Sequence, residues 1–161
     1  INSPCSEAIP ASGRIWGFTG FCEEHGLRNK LILREFGHIH EDVKAQMTDV
    51  LELLETAYGG LKKGIFVSSD TLANILLNLL FRKYGKLPDD YLIVGFDNSL
   101  ISREAVIPIS TVGQQIDRLA YEAVSLLVEQ MEERKKRKPV PLKEPIHKII
   151  TPVLYRRETT G

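Results

Sequence analysis

Two stretches of this sequence end an apolar run with side chains that can hold a polar ligand. In Leu87-Pro88-Asp89-Asp90-Tyr91-Leu92-Ile93-Val94-Gly95-Phe96-Asp97-Asn98-Ser99, the Pro-Asp-Asp triplet is turn chemistry and Tyr91 to Val94 are strand formers. Gly95 lets the chain bend, and Asp97 follows at the strand's carboxyl end. Ligands of open α/β sheets bind just past such ends. A carboxylate there can accept two hydroxyl hydrogen bonds at once, which suits sugar recognition. A loop aspartate can also cap Ser99 or nearby backbone amides. Upstream, Gly64-Ile65-Phe66-Val67-Ser68-Ser69-Asp70 repeats the logic: apolar strand, polar tip, then a helical pattern. Asp70 reads either as a ligand contact or as the N-cap of that helix. Two strands with polar tips predict one pocket.

Arg14 opens a helical pattern, where a cation sits against the positive end of the helix dipole. Its five-donor fork could grip a sugar ring or a carboxylate, or pair with Glu7 on the surface. Phe96 is either core or a platform under a ligand. No Gly-rich phosphate loop, Gly-x-Ser-x-Gly or credible Ser/His/Asp set is present, so no catalytic residue is assigned. Asp70 and Asp97 could act as acid and base, yet a binding site needs the same residues without catalytic support. His38 and His40 have a metal-like spacing but no evident third ligand. Neither a metal nor a cofactor is called for. Cys5 and Cys22 read as free or buried thiols of a reduced compartment.

The elements that must position these residues follow from periodicity. A helix runs from an N-cap at Ser12 to His25-Gly26, with Ile15, Phe18 and Cys22 on one face. Lys30 to Arg34 is strand-like. Val43, Met47, Val50, Leu51, Leu54 and Tyr58 recur at helical spacing until Gly59-Gly60. Strand Ile65 to Ser68 and helix Thr71 to Tyr84 come next. Beyond Pro108, Ile116, Leu119, Ala120, Ala123, Leu127 and Met131 line a helix from Gln115 to Glu133, ending in the basic run 134–138. Prolines 139, 141 and 145 mark a stiff linker, and His147 to Tyr155 a last strand whose Pro152 suggests an edge or crossover. This alternation predicts an α/β fold: a parallel sheet with helices on both faces.

The chain's 161 residues are 43% hydrophobic and 26% charged, with 21 basic and 21 acidic residues. That composition is globular, lacks the basic surplus of a nucleic-acid binder, and contains no run near the roughly 20 apolar residues of a membrane span.

Five segments in this order resemble the effector-binding domain of the lactose-repressor/galactose-repressor family. They are the two strand-and-tip segments, Arg14-Ile15-Trp16-Gly17-Phe18, Ile109-Ser110-Thr111-Val112-Gly113-Gln114, and Thr151 to Thr160 with its Arg-Arg-Glu-Thr ending. The resemblance implies a periplasmic-binding-protein-like type I fold, two Rossmann-like lobes joined by three crossings, of which this chain would be an incomplete portion. Residues 1–111 and about 150–161 would belong to the C-terminal lobe, and about 112–149 to the N-terminal lobe. It also implies that Arg14, Ser69, Asp70, Phe96, Asp97 and Gln114 face a small effector, most simply a sugar. Ser69 stands where the family usually has asparagine, and Ile39 where it places a stacking aromatic; His38 or His40 could substitute. Leu72, Ile75, Leu76, Leu77, Leu80 and Ala105 are expected in a homodimer interface, since their helix carries more apolar surface than one sheet needs. Operator DNA would be bound only through an N-terminal domain outside this sequence, in the cytoplasm, with no membrane contact. The competing expectation is a periplasmic sugar-binding protein of a transport system.

Overall fold

The computed structural model describes residues 10–34, 40–138 and 144–161. Cys5, Glu7, Gly37, His38, Ile39, Pro139 and Pro141 lie outside the described residues, and so does the side chain of His40. Helices α1 (Pro10–Glu24) and α2 (His40–Tyr58) precede β1 (Lys63–Phe66). Then come α3 (Asp70–Tyr84), β2 (Tyr91–Phe96), a short α4 (Leu100–Glu104) and β3 (Ser110–Gly113). Helix α5 (Ile116–Lys135), β4 (Val153–Tyr155) and a 3-10 turn (Glu158–Thr160) complete the order.

The sheet order is β1-β2-β3-β4. The first three strands are parallel, with Ile65 beside Ile93 and Val94 beside Ser110. β4 runs antiparallel to β3 at the far edge, the kind of position that Pro152 called for. Strand alternation sends Ile65, Tyr91 and Ile93 to one face. There they join Met47, Val50, Leu51 and Leu54 of α2 and Ala73, Leu76, Leu77 and Leu80 of α3 in one core. Phe66 and Phe96 point to the other face, where Phe66 stacks on Phe18 of α1 at 6.4 Å. Helices therefore cover both faces.

Several boundaries differ from expectation for local reasons. α1 begins at Pro10, so Ser12 is helical rather than capping; proline suits a first helical position because its missing N–H has no partner to lose. The N-cap of α3 is Ser69, not Asp70: the Ser69 hydroxyl accepts from the Leu72 amide at 3.4 Å. Lys30 to Arg34 contributes only a single bridging residue, Leu33. A cavity of about 390 Å³ opens between residues 28–33 and β1, and Ile32 is the buried residue of that segment. The last strand is reduced to three residues. α4 was not expected; its five residues carry too short a pattern to recognise.

The apolar surplus on α3 also has a different explanation. Leu76, Leu77 and Leu80 are fully buried and Ile75 nearly so, within their own chain. α3 is packed against β2, α2 and α4 at once. Three neighbours need a wider apolar arc than one sheet does, so these four residues are core and not a dimer surface. Leu72 and Ala105 remain half-buried, and Leu100, Ile101 and Val106 beside them are exposed.

α5 has the opposite character. No residue of it is buried, and Ile116, Leu119, Tyr121, Val124, Leu127, Val128 and Met131 are exposed. An amphipathic helix with an uncovered apolar face lacks its packing partner among the described residues. At its basic end Lys135 and Lys136 pair with Glu132 and Glu133 one turn back. No helix is long and apolar enough to cross a membrane among the described residues.

At the amino ends of the strands, buried Lys63 donates to Asp90 at 2.6 Å and to the Leu61 carbonyl at 2.8 Å, over the Tyr91 ring. That hydrogen bond holds the Asp90 carboxyl below its ordinary value. Burial pushes the Tyr91 hydroxyl up to about 12. Burial also pushes the Glu55 carboxyl up, but hydrogen bonds from Lys83 and Tyr84 outweigh it, so Glu55 titrates below its ordinary value. The polar tips of the strands lie at the other pole.

Candidate functional site

Past the carboxyl ends of β1, β2 and β3 the structure gathers the polar tips. Arg14, in the second turn of α1, reaches down to donate to the Ser68 carbonyl at 2.6 Å. Its guanidinium lies over the Phe96 ring, 4.5 Å from the centroid. A cation on an aromatic face is held by the ring quadrupole, which fixes the fork without using its donors. Among the described residues Ser68 is the one acceptor bonded to this fork, and the side chain is half-buried. Phe96 is itself held edge-on by Phe66 at 6.3 Å. The sequence left Phe96 open between core and platform; half-buried under an arginine, it is the floor of this end of the sheet.

Asp97 follows directly and is exposed. Its φ is 106°, and Asn98 follows at φ 51°. These two and Gln115, at 49°, are the non-glycine residues in the left-handed region among the described residues. Such backbone costs of order 1–3 kcal/mol for a residue with a Cβ and persists where the surroundings enforce it. Gln114 donates to Asp97 Oδ1 at 3.2 Å, which ties the β2 and β3 tips together. Arg14, Phe96, Asp97 and Gln114 thus stand at one end of the sheet. Ser69 is half-buried there as well, with its hydroxyl engaged in the α3 cap.

Asp70 is placed differently. It is 1% exposed. Its Oδ2 accepts from the Ser99 amide at 2.7 Å and the Ser99 hydroxyl at 2.9 Å, and its Oδ1 from Thr111 Oγ1 at 2.5 Å. Both oxygens are thus committed inside the fold, beneath the tips. A Cβ at Gly95 would lie 2.3 Å from Asp70 Oδ1 and 3.3 Å from its Cα, so glycine there lets the carboxylate lie directly against β2. Asp70 joins α3, α4 and β3 into the scaffold that carries Asp97; it has no oxygen left over for an effector.

Thr111, Ser99, Asn98 and Arg157 are the members that sequence reasoning did not assign. Asn98 N donates to Thr111 Oγ1 at 3.3 Å, and Arg157 Nη2 donates to Asn98 Oδ1 at 2.6 Å. Thr111 and Arg157 stand within the segments that carried the resemblance, but their pairings span 41 and 59 residues and no local pattern encodes them.

A family model described as a periplasmic binding protein-like domain matches residues 3–160, and the chain belongs to that family. The ribose operon repressor of Halalkalibacterium halodurans is 32% identical over 152 residues, which is 94% of this chain and 42% of that protein. A LacI family transcriptional regulator from Silicibacter pomeroyi superposes with a TM-score of 0.77 at 25% identity, covering 99% of this chain and 53% of that one. A LacI family regulator from Enterococcus faecium, solved with bound ribose, gives 0.70 at 22%, covering 99% and 55%. The chain spans about half the length of the relatives it matches.

Proposed function

We propose that this chain is the ligand-sensing part of a bacterial transcription regulator and that its effector is a sugar. The observation that carries the proposal is the tip cluster: an arginine fork seated on Phe96, next to an exposed Asp97 held in a strained turn at the carboxyl end of a parallel sheet. A fork of donors, a carboxylate acceptor and an aromatic floor match the hydroxyls and the C–H face of a sugar ring. Three further points belong to the same proposal. α5, uncovered here, packs in a second lobe formed by sequence outside this chain. Sugar binding shifts the balance between lobe arrangements, and so changes how a separate DNA-binding domain meets its operator, a coupling typically worth about 1–3 kcal/mol. The protein works in the cytoplasm as a homodimer whose interface includes half-buried Leu72 and Ala105 and exposed Val106, with no catalytic step.

The test is a thermal-shift screen of the full-length protein against pentoses, hexoses, disaccharides and purines. D-ribose is the first probe because of the ribose operon repressor's likeness to this chain. A sugar at ~100 times its dissociation constant adds roughly 2.7 kcal/mol and raises the melting temperature. Stabilisation by a purine alone would replace the sugar proposal, and a sugar that stabilises without altering operator retention in a gel shift would favour a transport binding protein.

A further inference from the structure

The Asp97–Asn98 turn is strained, and something must hold it. Asp97 N donates to the Val112 carbonyl at 2.8 Å, which fixes the entry to the turn but not the φ of 106° or 51° that follows. β3 approaches so closely that a Cβ on Gly113 would lie 2.7 Å from Asn98 Cβ and 2.8 Å from Tyr155 Cε2. Gly113 therefore lies directly against Asn98 of the turn and Tyr155 of β4, with no room for a side chain of its own. From that last strand comes Arg157, half-buried just beyond β4. Its Nη2 donates to Asn98 Oδ1 at 2.6 Å, and its Nη1 donates to the Ile109 carbonyl at 2.7 Å and Ser102 Oγ at 3.3 Å. Its own backbone is anchored: Arg157 N donates to Ser110 Oγ at 2.7 Å, and Ser110 N donates to Thr159 Oγ1 at 2.9 Å. Thr159 in turn donates to the Ile93 carbonyl at 2.6 Å. The guanidinium thus bridges the β3 entry, at the Ile109 carbonyl, to the Asn98 side chain of the turn.

We propose that Arg157 is a positioning residue: through Asn98 it holds the 97–98 turn in its left-handed conformation and so aims Asp97 at the ligand. The part about aiming rests on Asp97 being a ligand contact, as proposed above; the part about holding does not. Arginine is required because three acceptors are engaged by one planar fork, which a single ammonium cannot reproduce. The sequence placed Arg157 in a C-terminal signature without a task; the bond to Asn98 supplies one.

The test uses hydrogen exchange resolved by peptide on the full-length protein, wild type against Arg157→Gln, Arg157→Lys and Asn98→Gly. Asn98→Gly removes the acceptor while taking φ 51° without strain. In Arg157→Gln, exchange in the peptide covering 96–100 rises by about tenfold or more while peptides of α2 and α3 keep wild-type rates. Asn98→Gly gives the same local rise, the Asn98→Gly/Arg157→Gln double variant gives no more than either, and Arg157→Lys is intermediate. Titration with D-ribose in parallel weakens in step with exchange at 96–100. Unchanged exchange at 96–100 overturns the proposal, and so does an equal rise across all peptides, which marks Arg157 as a general stabiliser. A local rise in a protein whose wild type binds no ribose leaves the holding role standing and removes the ribose reading.

Discussion

Replacing Asp70 by alanine should cost far more stability than the loss of one polar side chain on a surface. The carboxylate is 1% exposed and takes three hydrogen bonds, from Ser99 N, Ser99 Oγ and Thr111 Oγ1. A net hydrogen bond is worth about 1 kcal/mol, and a buried donor left without an acceptor costs about 1–3 kcal/mol. Alanine orphans the Thr111 hydroxyl and the Ser99 amide together, so the gross loss is roughly 4–6 kcal/mol. Relief from desolvating the carboxylate returns a part of this, leaving about 3–4 kcal/mol. Asparagine keeps the volume and the Ser99 bonds but turns an NH₂ toward Thr111; it should cost about 1–2 kcal/mol. Urea unfolding of the full-length protein, followed by circular dichroism, measures both. Sugar affinity should fall with Asp70→Ala as a consequence of the moved tips. An Asp70→Ala protein within about 1 kcal/mol of wild type would refute the reasoning, because the buried Thr111 hydroxyl and the half-buried Ser99 amide would both lose their acceptor.

Asp97→Gly should remove strain worth about 1 kcal/mol or more, offset in part by glycine's freedom in the unfolded chain, so urea stability holds or rises slightly while sugar titration weakens at least tenfold. Because Asp90 and Glu55 titrate below their ordinary values when folded, their stabilisation is present above pH of about 5 and is lost as the pH falls through the folded-state values; acid unfolding by circular dichroism should start there, and Asp90→Asn should flatten it. Tyr91 has the opposite sign: its folded value is raised to about 12, so its contribution is complete below its ordinary value of 10.0 and disappears between 10 and about 12, and Tyr91→Phe should remove that alkaline loss. Val106→Glu, on an exposed residue beside half-buried Ala105, should shift sedimentation of the full-length protein from dimer toward monomer without lowering its melting temperature.

The architecture was largely legible because its signals are periodic. Val43 to Tyr58 and Thr71 to Tyr84 announced two helices, and Tyr91 to Val94 announced β2. The arrangement of Arg14, Phe96, Asp97 and Gln114 at one end follows from that topology. What the sequence withheld was of two kinds. Burial depends on how many neighbours an element has, and α3 has three; its leucines therefore looked like an interface and are core. Hydrogen-bond partners distant in sequence leave no local trace. Asp70 could thus be read as a ligand contact or a cap, when Thr111, 41 residues away, and Ser99 complete its shell.

Isothermal titration of the full-length protein with the sugar that stabilises it, D-ribose first, tests the central claim most directly. Wild type, Arg14→Ala and Asp97→Ala should be compared at matched folding, confirmed by unchanged circular dichroism and melting temperature. Each substitution removes groups at the tips and little core, so both should lose at least tenfold in affinity, or about 1.4 kcal/mol, and keep the fold. Full wild-type affinity in both variants would place the sugar elsewhere and contradict the site described at the carboxyl ends of β1, β2 and β3.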